Sequence, residues 1–325
     1  MTLAGGSAAA PIISPLAARA QDGRVRRIGW LSSLSADDPE SKARLAAFRG
    51  GMRKLGWVDG RNIQIDYRFA DGDATRLRPL AVELVRSSPD VIVAVATTAL
   101  ATLHRDSTTI PIVFAQVTDP VGGGLVTSLA HPGGNITGFA QFEYGVGIKW
   151  LELLKELAPG ISRVAIVNEP ANTSSAGFLS SIEPSARSFG VRMTSVAVND
   201  SIEMERAINS FAGEPNGGLV VLPAPLTVAH RDLIIALAAR HRLPSVYPVR
   251  LFVDSGGLAY YGIDNVDLYR QAASYVDRIL KGEKPGDLPI QFSTKFELVI
   301  NLKTAKALGI EPPIPLLART DEVIE

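Results

Sequence analysis

Two buried strands, each followed at once by small polar residues and a helix, lie within residues 90–138. The first strand, VIVAVA, runs into Thr97 and Thr98. The second strand, IVFAQV, runs into a Thr-Asp-Pro turn at 118–120 and three glycines. In an open parallel sheet, ligands bind beyond the carboxyl ends of the strands, where helices begin with unpaired N–H groups. This stretch therefore predicts an α/β fold with a binding site at its strand ends.

The polar residues at these two strand ends suit a zwitterionic ligand. Thr97 and Thr98, together with the N–H groups and the positive dipole end of the following helix, are suited to a carboxylate. Asp119 is suited to a cationic group of the same ligand. Each position also has a purely structural alternative, because Thr is a common helix N-cap and Asp before Pro is a common helix start.

Strands and helices alternate along most of the chain, in two successive blocks. The first block contains the strands RRIGWLSS, NIQIDYRFAD, VIVAVA, IVFAQV and NITGFAQF. The pattern restarts after Gly145 and Gly147 with RVAIVNEP, VRMTSVAV, GGLVVLPAP, PSVYPV and LAYYGID. Such alternation indicates parallel sheets covered by helices. We therefore predict two doubly wound parallel-sheet lobes, joined by a hinge, around one cleft.

The last elements of the chain are too few to form a third domain, so we expect them to dock on the two lobes. We assign residues 24–142 and about 265–290 to lobe 1. Residues 143–264 and about 291–325 are assigned to lobe 2. The chain is then expected to cross between the lobes more than once.

Residues 1–23 are interpreted as the remnant of an export signal. They are rich in small and apolar residues and contain Ala18-Arg19-Ala20, which is typical of a signal-peptidase site. The basic segment that normally opens such a signal is missing, and we expect the true start to lie upstream. The alternative is a low-complexity Ala/Gly tail.

Composition argues against several classes of function. The formal net charge is zero, which gives no indication of nucleic-acid binding. There is no cysteine, and the four histidines show no metal-ligand spacing. We find neither a phosphate-binding GxxxxGK[ST] loop nor a GxSxG nucleophile motif. No metal, no cofactor and no enzymatic activity are expected.

Five strings carry a likeness to a known family: KLGWVDGRNIQIDYRFADGD, PIVFAQVTDPVGGGLVTSLAHPGGNITG, VVLPAP, FVDSGGLAYYGID and NLKTAKALGI with LLARTDEVI. They resemble the ABC transporter substrate-binding proteins related to tryptophan and tyrosine uptake. The resemblance implies a type I periplasmic-binding-protein fold with three crossovers and a ligand closed between two lobes. It also implies a periplasmic monomer that binds an aromatic or branched apolar amino acid. A membrane permease and an ATPase are the implied partners.

Carried onto this chain, the resemblance places the ligand at the ends of successive strands. The expected residues are Ser32, Ser33, Thr97, Thr98 and Asp119 in lobe 1, and Asn168, Glu169, Pro223, Asp254 and Tyr260 in lobe 2. Asp254 is a second candidate for the ammonium group. Tyr247, Phe252 or Tyr260 could stack on a side chain, with core packing as the alternative role. Arg250 is the only arginine that we consider for the cleft.

The alternative function is a ligand-sensing protein or an enzyme on the same two-lobe fold. An enzyme would need an acid–base pair in the cleft, and the sequence identifies none. A sensor would need a fused output domain.

Overall fold

The computed structural model describes residues 24–325, and the predicted export remnant at 1–23 lies outside the described residues. The first sheet consists of β1 (Arg26–Ser32), β2 (Ile63–Phe69), β3 (Val91–Val95), β4 (Ile112–Val117), β5 (Ile136–Ala140) and β11 (Gln291–Phe292). Their order is β11-β5-β4-β3-β1-β2, and all neighbours are parallel. Helices α1 (Pro39–Lys54), α2 (Ala74–Arg86), α3 (Ala96–Asp106) and α10 (Asn265–Leu280) pack on one another and on this sheet. These elements are called the first lobe below.

The second sheet consists of β6 (Arg163–Asn168), β7 (Arg192–Ala197), β8 (Gly217–Val221), β9 (Ser245–Tyr247), β10 (Ala259–Ile263), β12 (Phe296–Asn301) and β13 (Glu322–Ile324). Their order is β13-β12-β10-β9-β8-β6-β7, and only the β10–β12 pair is antiparallel. Helix α4 (Val146–Leu157) precedes the first of these strands. The helices that follow them are α5 (Ser174–Ser188), α6 (Ser201–Phe211), α7 (Pro225–Ala229), α8 (Arg231–Arg240), α9 (Arg250–Asp254), α11 (Leu302–Leu308) and α12 (Ile314–Leu317). This sheet with helices α4–α9 and α11 is called the second lobe. The prediction of two parallel-sheet α/β lobes is confirmed.

The chain passes between the two sheets three times. It crosses after β5, again between β10 and α10, and a third time between β11 and β12. Helix α10 therefore follows a strand of the second sheet but packs on α1, β4 and β5 of the first. The last two strands return to the second sheet.

The start of helix α1 and its packing on α10 depend on a few particular residues. Asp38 is the N-cap and accepts a hydrogen bond from the Glu40 backbone N–H at 2.8 Å, and Pro39 occupies the first helical position, where it loses no helical bond. Gly51 allows α10 to approach closely, because a Cβ there would lie 2.7 Å from the Cβ of Ala273. Because of this close packing, helix α10 is held on the first lobe, although it follows a strand of the second sheet.

Several short elements depart from the simple alternation of strands and helices. The helical segment after β8 begins at Pro225 and is divided into α7 and α8 at His230. Helix α9 and the short strands β11 and β13 are not foreseen from the sequence pattern, because segments of two to five residues carry too little periodicity. Among the described residues, no helix is both long and apolar enough to cross a membrane.

Candidate functional site

A cavity lies where the carboxyl ends of the first-sheet strands face the second lobe. We call it the main cavity. The first lobe contributes its polar lining residues Ser32, Ser33, Arg44, Thr97, Gln116 and Gln141, with Leu34, Val95 and Ala96. The second lobe contributes Asn172, Pro223, Ala224, Pro225, Val228 and Val249. The two walls therefore differ in kind, since nearly all polar side chains belong to the first lobe.

Arg44 supplies the positive charge of the main cavity. It is 3% exposed and lies on α1, one turn after Glu40, whose Oε1 accepts hydrogen bonds from the Arg44 Nε and Nη2 at 3.2 and 3.1 Å. Within residues 24–325, these bonds leave Nη1 without a hydrogen-bond partner. Burial opposes the charge, but Tyr269 and Glu40 outweigh it and raise the pKa of the guanidinium. The cavity thus contains a permanently charged guanidinium group with N–H donors left for a ligand.

Gln116 lies at the end of β4, and its amide is fixed by a buried tyrosine. The Tyr269 hydroxyl donates to Gln116 Oε1 at 2.9 Å, and burial raises the pKa of Tyr269, which keeps the phenol a neutral donor. The Arg44 guanidinium lies 5.5 Å from the centroid of the same tyrosine ring. Tyr269 belongs to α10, the helix that follows the second crossing of the chain. This helix therefore helps to position the polar wall of the cavity.

A chain of hydrogen bonds joins the ends of β3, β4 and β5. The Thr118 backbone N–H donates to Thr97 Oγ1 at 3.1 Å, and Gln141 Nε2 donates to Thr118 Oγ1 at 2.9 Å. Gln141 Oε1 and Ser33 Oγ are both buried and have no partner within residues 24–325. Buried polar atoms are rarely left unpaired in folded proteins, so an unpaired acceptor and an unpaired hydroxyl on a cavity wall indicate a place for a polar ligand.

The second-lobe wall has no comparable polar groups. Asn172, its one polar side chain, donates to the Pro223 carbonyl at 2.9 Å and accepts from the backbone and hydroxyl of Ser174. These three hydrogen bonds hold the amide within its own lobe. The remaining second-lobe residues of the lining are apolar and offer contact area to a ligand side chain.

The two lobes also contact each other beside the main cavity. Leu34 of the first lobe is 2% exposed and belongs to an apolar cluster whose other members, such as Val228 and Val249, lie in the second lobe. Asp38 and Arg231 form an ion pair at 3.0 Å across the lobes, with both side chains mostly buried. The structure is thus one in which the lobes are closed on each other.

Four of the residues predicted for the site are brought together at the main cavity: Ser32, Ser33, Thr97 and Pro223. Ser32 also has a local role, because its Oγ accepts from the Leu34 N–H at 3.2 Å. Thr98 is 9% exposed but does not line the cavity, and its Oγ1 has no partner within residues 24–325.

Asp119 lies outside the main cavity, in the loop after β4. Its Oδ1 accepts from the Gly122 N–H at 2.8 Å, and its backbone φ is +35°. The carboxylate accepts a hydrogen bond within its own turn. We therefore do not assign the ammonium group of the ligand to Asp119, in contrast to the prediction from the sequence.

Asp254 and Tyr260 line a different cavity, together with Glu40 and Arg250. Asp254 pairs with Arg250 at 3.4 Å, and Arg250 also pairs with Glu322 at 2.8 Å. Because Glu40 faces this second cavity while its partner Arg44 faces the main cavity, one ion pair separates the two. We therefore assign no ligand-binding role to Asp254, Tyr260 or Arg250, in contrast to the prediction from the sequence.

The proposed stacking residues are core residues. Tyr260 is fully buried and its hydroxyl donates to the Ile263 carbonyl at 2.9 Å. Tyr247 and Phe252 are also buried and stack on each other with ring centroids 4.7 Å apart. No aromatic ring lines the main cavity among the described residues.

The last two predicted residues serve the second lobe itself. Asn168 donates to the Ile166 carbonyl and to Ser195 Oγ within the second sheet. Glu169 is 6% exposed, and its Oε2 accepts from the Leu226 N–H at 3.1 Å. Burial raises the pKa of this carboxyl group, and the backbone hydrogen bond only partly opposes that effect. Neither residue lines the main cavity.

The sequence reasoning did not predict three polar residues of the first-lobe wall: Arg44, Gln116 and Gln141. The two glutamines carry a signal that could have found them, since Phe-Ala-Gln ends both β4 and β5. A long polar side chain at the end of an otherwise apolar strand, repeated in the neighbouring strand, suggests a shared edge with a function. Arg44 carries no such signal, because an arginine in the middle of a helix usually faces solvent.

The fold and the cavity are those of a two-lobed protein with a cavity between its lobes. Among residues 24–325, no cluster of acidic and histidine side chains is arranged to hold a metal ion. Residues 36–324 match the family described as ABC transporter substrate binding protein, and the chain belongs to that family. Its members are substrate-binding proteins and not enzymes.

Three similar proteins place the chain within this family. A protein named Tyrosine-binding protein, from Clostridioides difficile strain R20291, is 30% identical over 268 residues, which is 81% of this chain and 76% of the relative. The crystal structure of an ABC domain in complex with L-Trp, from Streptococcus pneumonia, is 25% identical and superimposes with a TM-score of 0.84. That superposition covers 93% of this chain and 100% of the other.

A third comparison bears on the lobe arrangement. The ligand-free, open structure of a substrate binding protein with adhesive properties, from Clostridium difficile, is 26% identical and covers 93% of this chain and 99% of its own. Its TM-score is only 0.64, although its identity differs little from that of the L-Trp complex and it covers the same share of this chain. Because the coverage is the same, the difference lies in geometry, and the closed lobes seen here agree better with the ligand-bound relative.

Proposed function

We propose that this protein is the extracytoplasmic solute-binding component of an ABC importer and binds an α-amino acid with an aromatic or branched apolar side chain between its lobes. The observation that carries this proposal is the division of the main cavity into a polar and an apolar wall. An α-amino acid has the matching division, with a zwitterionic end and an apolar end.

The carboxylate is assigned to Arg44, with the hydroxyls of Ser33 and Thr97 beside it. A guanidinium is the side chain that best matches a carboxylate, and its hydrogen bonds are charge-assisted. The unpaired Ser33 Oγ supplies a further donor. The carboxylate role first given to Thr97 and Thr98 is thus shared with residues on α1 and β1.

The ammonium group is assigned to Gln141. Its Nε2 is bound to Thr118 Oγ1, and its Oε1 is an unpaired acceptor. The ligand side chain then lies against the apolar wall formed by Pro223, Val228 and Val249. Burial of that side chain on lobe closure provides the hydrophobic part of the binding free energy.

The importer role follows from the family and from binding alone. A ligand with micromolar affinity supplies about 8 kcal/mol of binding free energy, and a part of it suffices to favour closed lobes. A closed, loaded protein can then be distinguished by a permease and its ATPase. The periplasm is the proposed location, because importers of this kind take their ligand from outside the cytoplasmic membrane.

The test is a thermal-shift screen followed by calorimetry with L-tyrosine, L-tryptophan and L-leucine. A ligand at a hundred times its dissociation constant stabilises the protein by about 2.7 kcal/mol, which a melting curve resolves. The N-acetyl and methyl-ester forms of the best ligand remove the ammonium or the carboxylate charge, and each is expected to bind at least tenfold more weakly. If sugars or nucleosides stabilise the protein and no amino acid does, the proposal is wrong.

Uptake provides the test of the transport role. Deletion of the gene is expected to abolish high-affinity uptake of the labelled amino acid, and cell fractionation is expected to find the protein outside the cytoplasm. Conversion of the ligand into a product by purified protein would contradict a purely binding role.

A further inference from the structure

Gln116 occupies an irregular position at the end of β4. Ala115 pairs with Phe139 and Val117 pairs with Ala140, so Gln116 is an extra residue without a partner in β5. Its φ is +65°, in the left-handed region that glycine adopts freely and residues with a Cβ adopt rarely. Bulges of this kind occur beside binding sites, where they redirect a side chain.

The redirected side chain is held by one buried donor. Tyr269 is fully buried on α10, and its hydroxyl donates to Gln116 Oε1 at 2.9 Å. Within residues 24–325, Gln116 Nε2 has no hydrogen-bond partner, and the residue lines the main cavity. In this arrangement the phenol takes up Oε1 of the amide, and the amide N–H₂ is left for a partner in the cavity.

Gln141 shows the opposite arrangement one strand away. It uses Nε2 inside the protein, as a donor to Thr118 Oγ1, and leaves Oε1 toward the cavity. The two Phe-Ala-Gln strand ends therefore present a donor at Gln116 and an acceptor at Gln141. Arg44 lies against the Tyr269 ring, so the donor side of this pair coincides with the positive side of the cavity.

We propose that Gln116 is a specificity residue that donates to the carboxylate of the ligand, and that Tyr269 is a positioning residue that fixes the Gln116 amide for this contact. This inference rests on the proposed function and assigns a role within the same site. A bulge alone would be better served by glycine, which is unstrained at this φ. Strained backbone that is kept despite its cost is typical of binding sites.

The experiment compares three variants with the wild type, using L-tryptophan and L-tyrosine as probes in calorimetry and thermal unfolding in their absence. Gln116→Gly relieves the strain, and we expect an unchanged or higher melting temperature together with at least tenfold weaker binding. Tyr269→Phe leaves the ring beside Arg44 but removes the donor, and about tenfold weaker binding is expected. The double variant should bind no more weakly than Gln116→Gly, because Tyr269 acts through Gln116.

Tyr275→Phe is the matched control. It removes a tyrosine hydroxyl from the same helix, one that donates to the Pro289 carbonyl at 2.6 Å and does not line the main cavity. Affinity is expected to stay within twofold of the wild type. The control separates loss of a buried hydroxyl from loss of the particular donor to Gln116.

The outcomes distinguish this inference from the proposed function. Wild-type affinity for an amino acid together with full affinity in Gln116→Gly overturns the inference and leaves the proposed function intact. Lower stability of Gln116→Gly would show that the glutamine is kept for folding, which also overturns the inference. If Tyr269→Phe does not fold, the Gln116→Gly result decides. A wild-type protein that binds no amino acid overturns both.

Discussion

The two walls of the main cavity differ in how many of their polar side chains the protein orients by hydrogen bonds. On the first lobe, Glu40, Tyr269 and Thr118 orient Arg44, Gln116 and Gln141 through hydrogen bonds before any ligand arrives. On the second lobe, the one polar side chain is hydrogen-bonded within its own lobe and the rest of the wall is apolar. Oriented polar groups select a ligand, whereas an apolar wall rewards burial with little selectivity.

We therefore expect the first lobe to select the ligand and the second lobe to add affinity on closure. Substitutions in each wall and at the contact between the lobes test this division of roles.

Loss of the Arg44 charge should have the largest effect. Arg44→Met combined with Glu40→Gln avoids leaving a buried unpaired carboxylate, which would destabilise the fold by itself. We expect about 100-fold weaker binding of the amino acid and little effect on its methyl ester. Calorimetry measures both, and Arg250→Met is the control, because Arg250 lines the second cavity instead.

Shortening the apolar wall should have a moderate effect that depends on the ligand. Val228→Ala removes two methyl groups of contact, and we expect affinity for L-tryptophan to fall about three- to tenfold. L-Alanine does not reach as far, so any affinity for it should change less. Equal losses for both ligands would mean that Val228 acts on closure and not on the side chain. Val323→Ala, on the exposed edge strand β13, is the control.

The ion pair between Asp38 and Arg231 should favour the closed lobes without touching the ligand. Asp38→Asn keeps an N-cap for α1 but removes the charge that pairs with Arg231 at 3.0 Å. About threefold weaker binding and a larger radius of gyration of the ligand-free protein are expected, measured by calorimetry and small-angle scattering. An unchanged radius with unchanged affinity would show that the pair contributes nothing to closure.

The smallest effect is expected from the buried carboxyl group of the second lobe. Burial raises the pKa of Glu169, so the folded state holds its proton more tightly than the unfolded state. The stability from this group is fully present below its unfolded pKa and is lost as pH rises through the folded pKa. Glu169→Gln keeps an acceptor for the Leu226 N–H and should raise the melting temperature slightly at pH 7 but not at pH 4. A melting temperature with unchanged pH dependence would contradict this assignment.

Much of the fold could be predicted because strands and helices leave local patterns. Helices α6 and α10, for example, both have an Asp N-cap and a clear apolar face. Among the cavity residues, Thr97 was predicted by the rule that ligands bind beyond carboxyl ends, whereas Ser32, Ser33 and Pro223 were expected from the family resemblance. That rule identifies an edge of the sheet, and it cannot tell which side chains at the edge are already used.

Asp119 and Gln116 show the limit of that rule. Both follow from the same strand, and the sequence favours the charged residue over the neutral one. In the structure the Asp119 carboxylate closes its own turn, while the bulge at Gln116 turns a neutral amide toward the cavity. Which of the two faces a ligand depends on a single extra residue in the β4–β5 ladder, and no local pattern encodes it.

By itself, the sequence determined the alternation of elements, the two lobes and the edge at which they meet, because these depend on periodicity and capping within a few residues. Only the tertiary structure decided that Arg44 belongs to the cavity and that Tyr269 supports it. Those contacts join α1 and α10, which are more than 200 residues apart in the chain. The physical reason is that buried charges and oriented amides are fixed by their partners, and partners are brought together by packing.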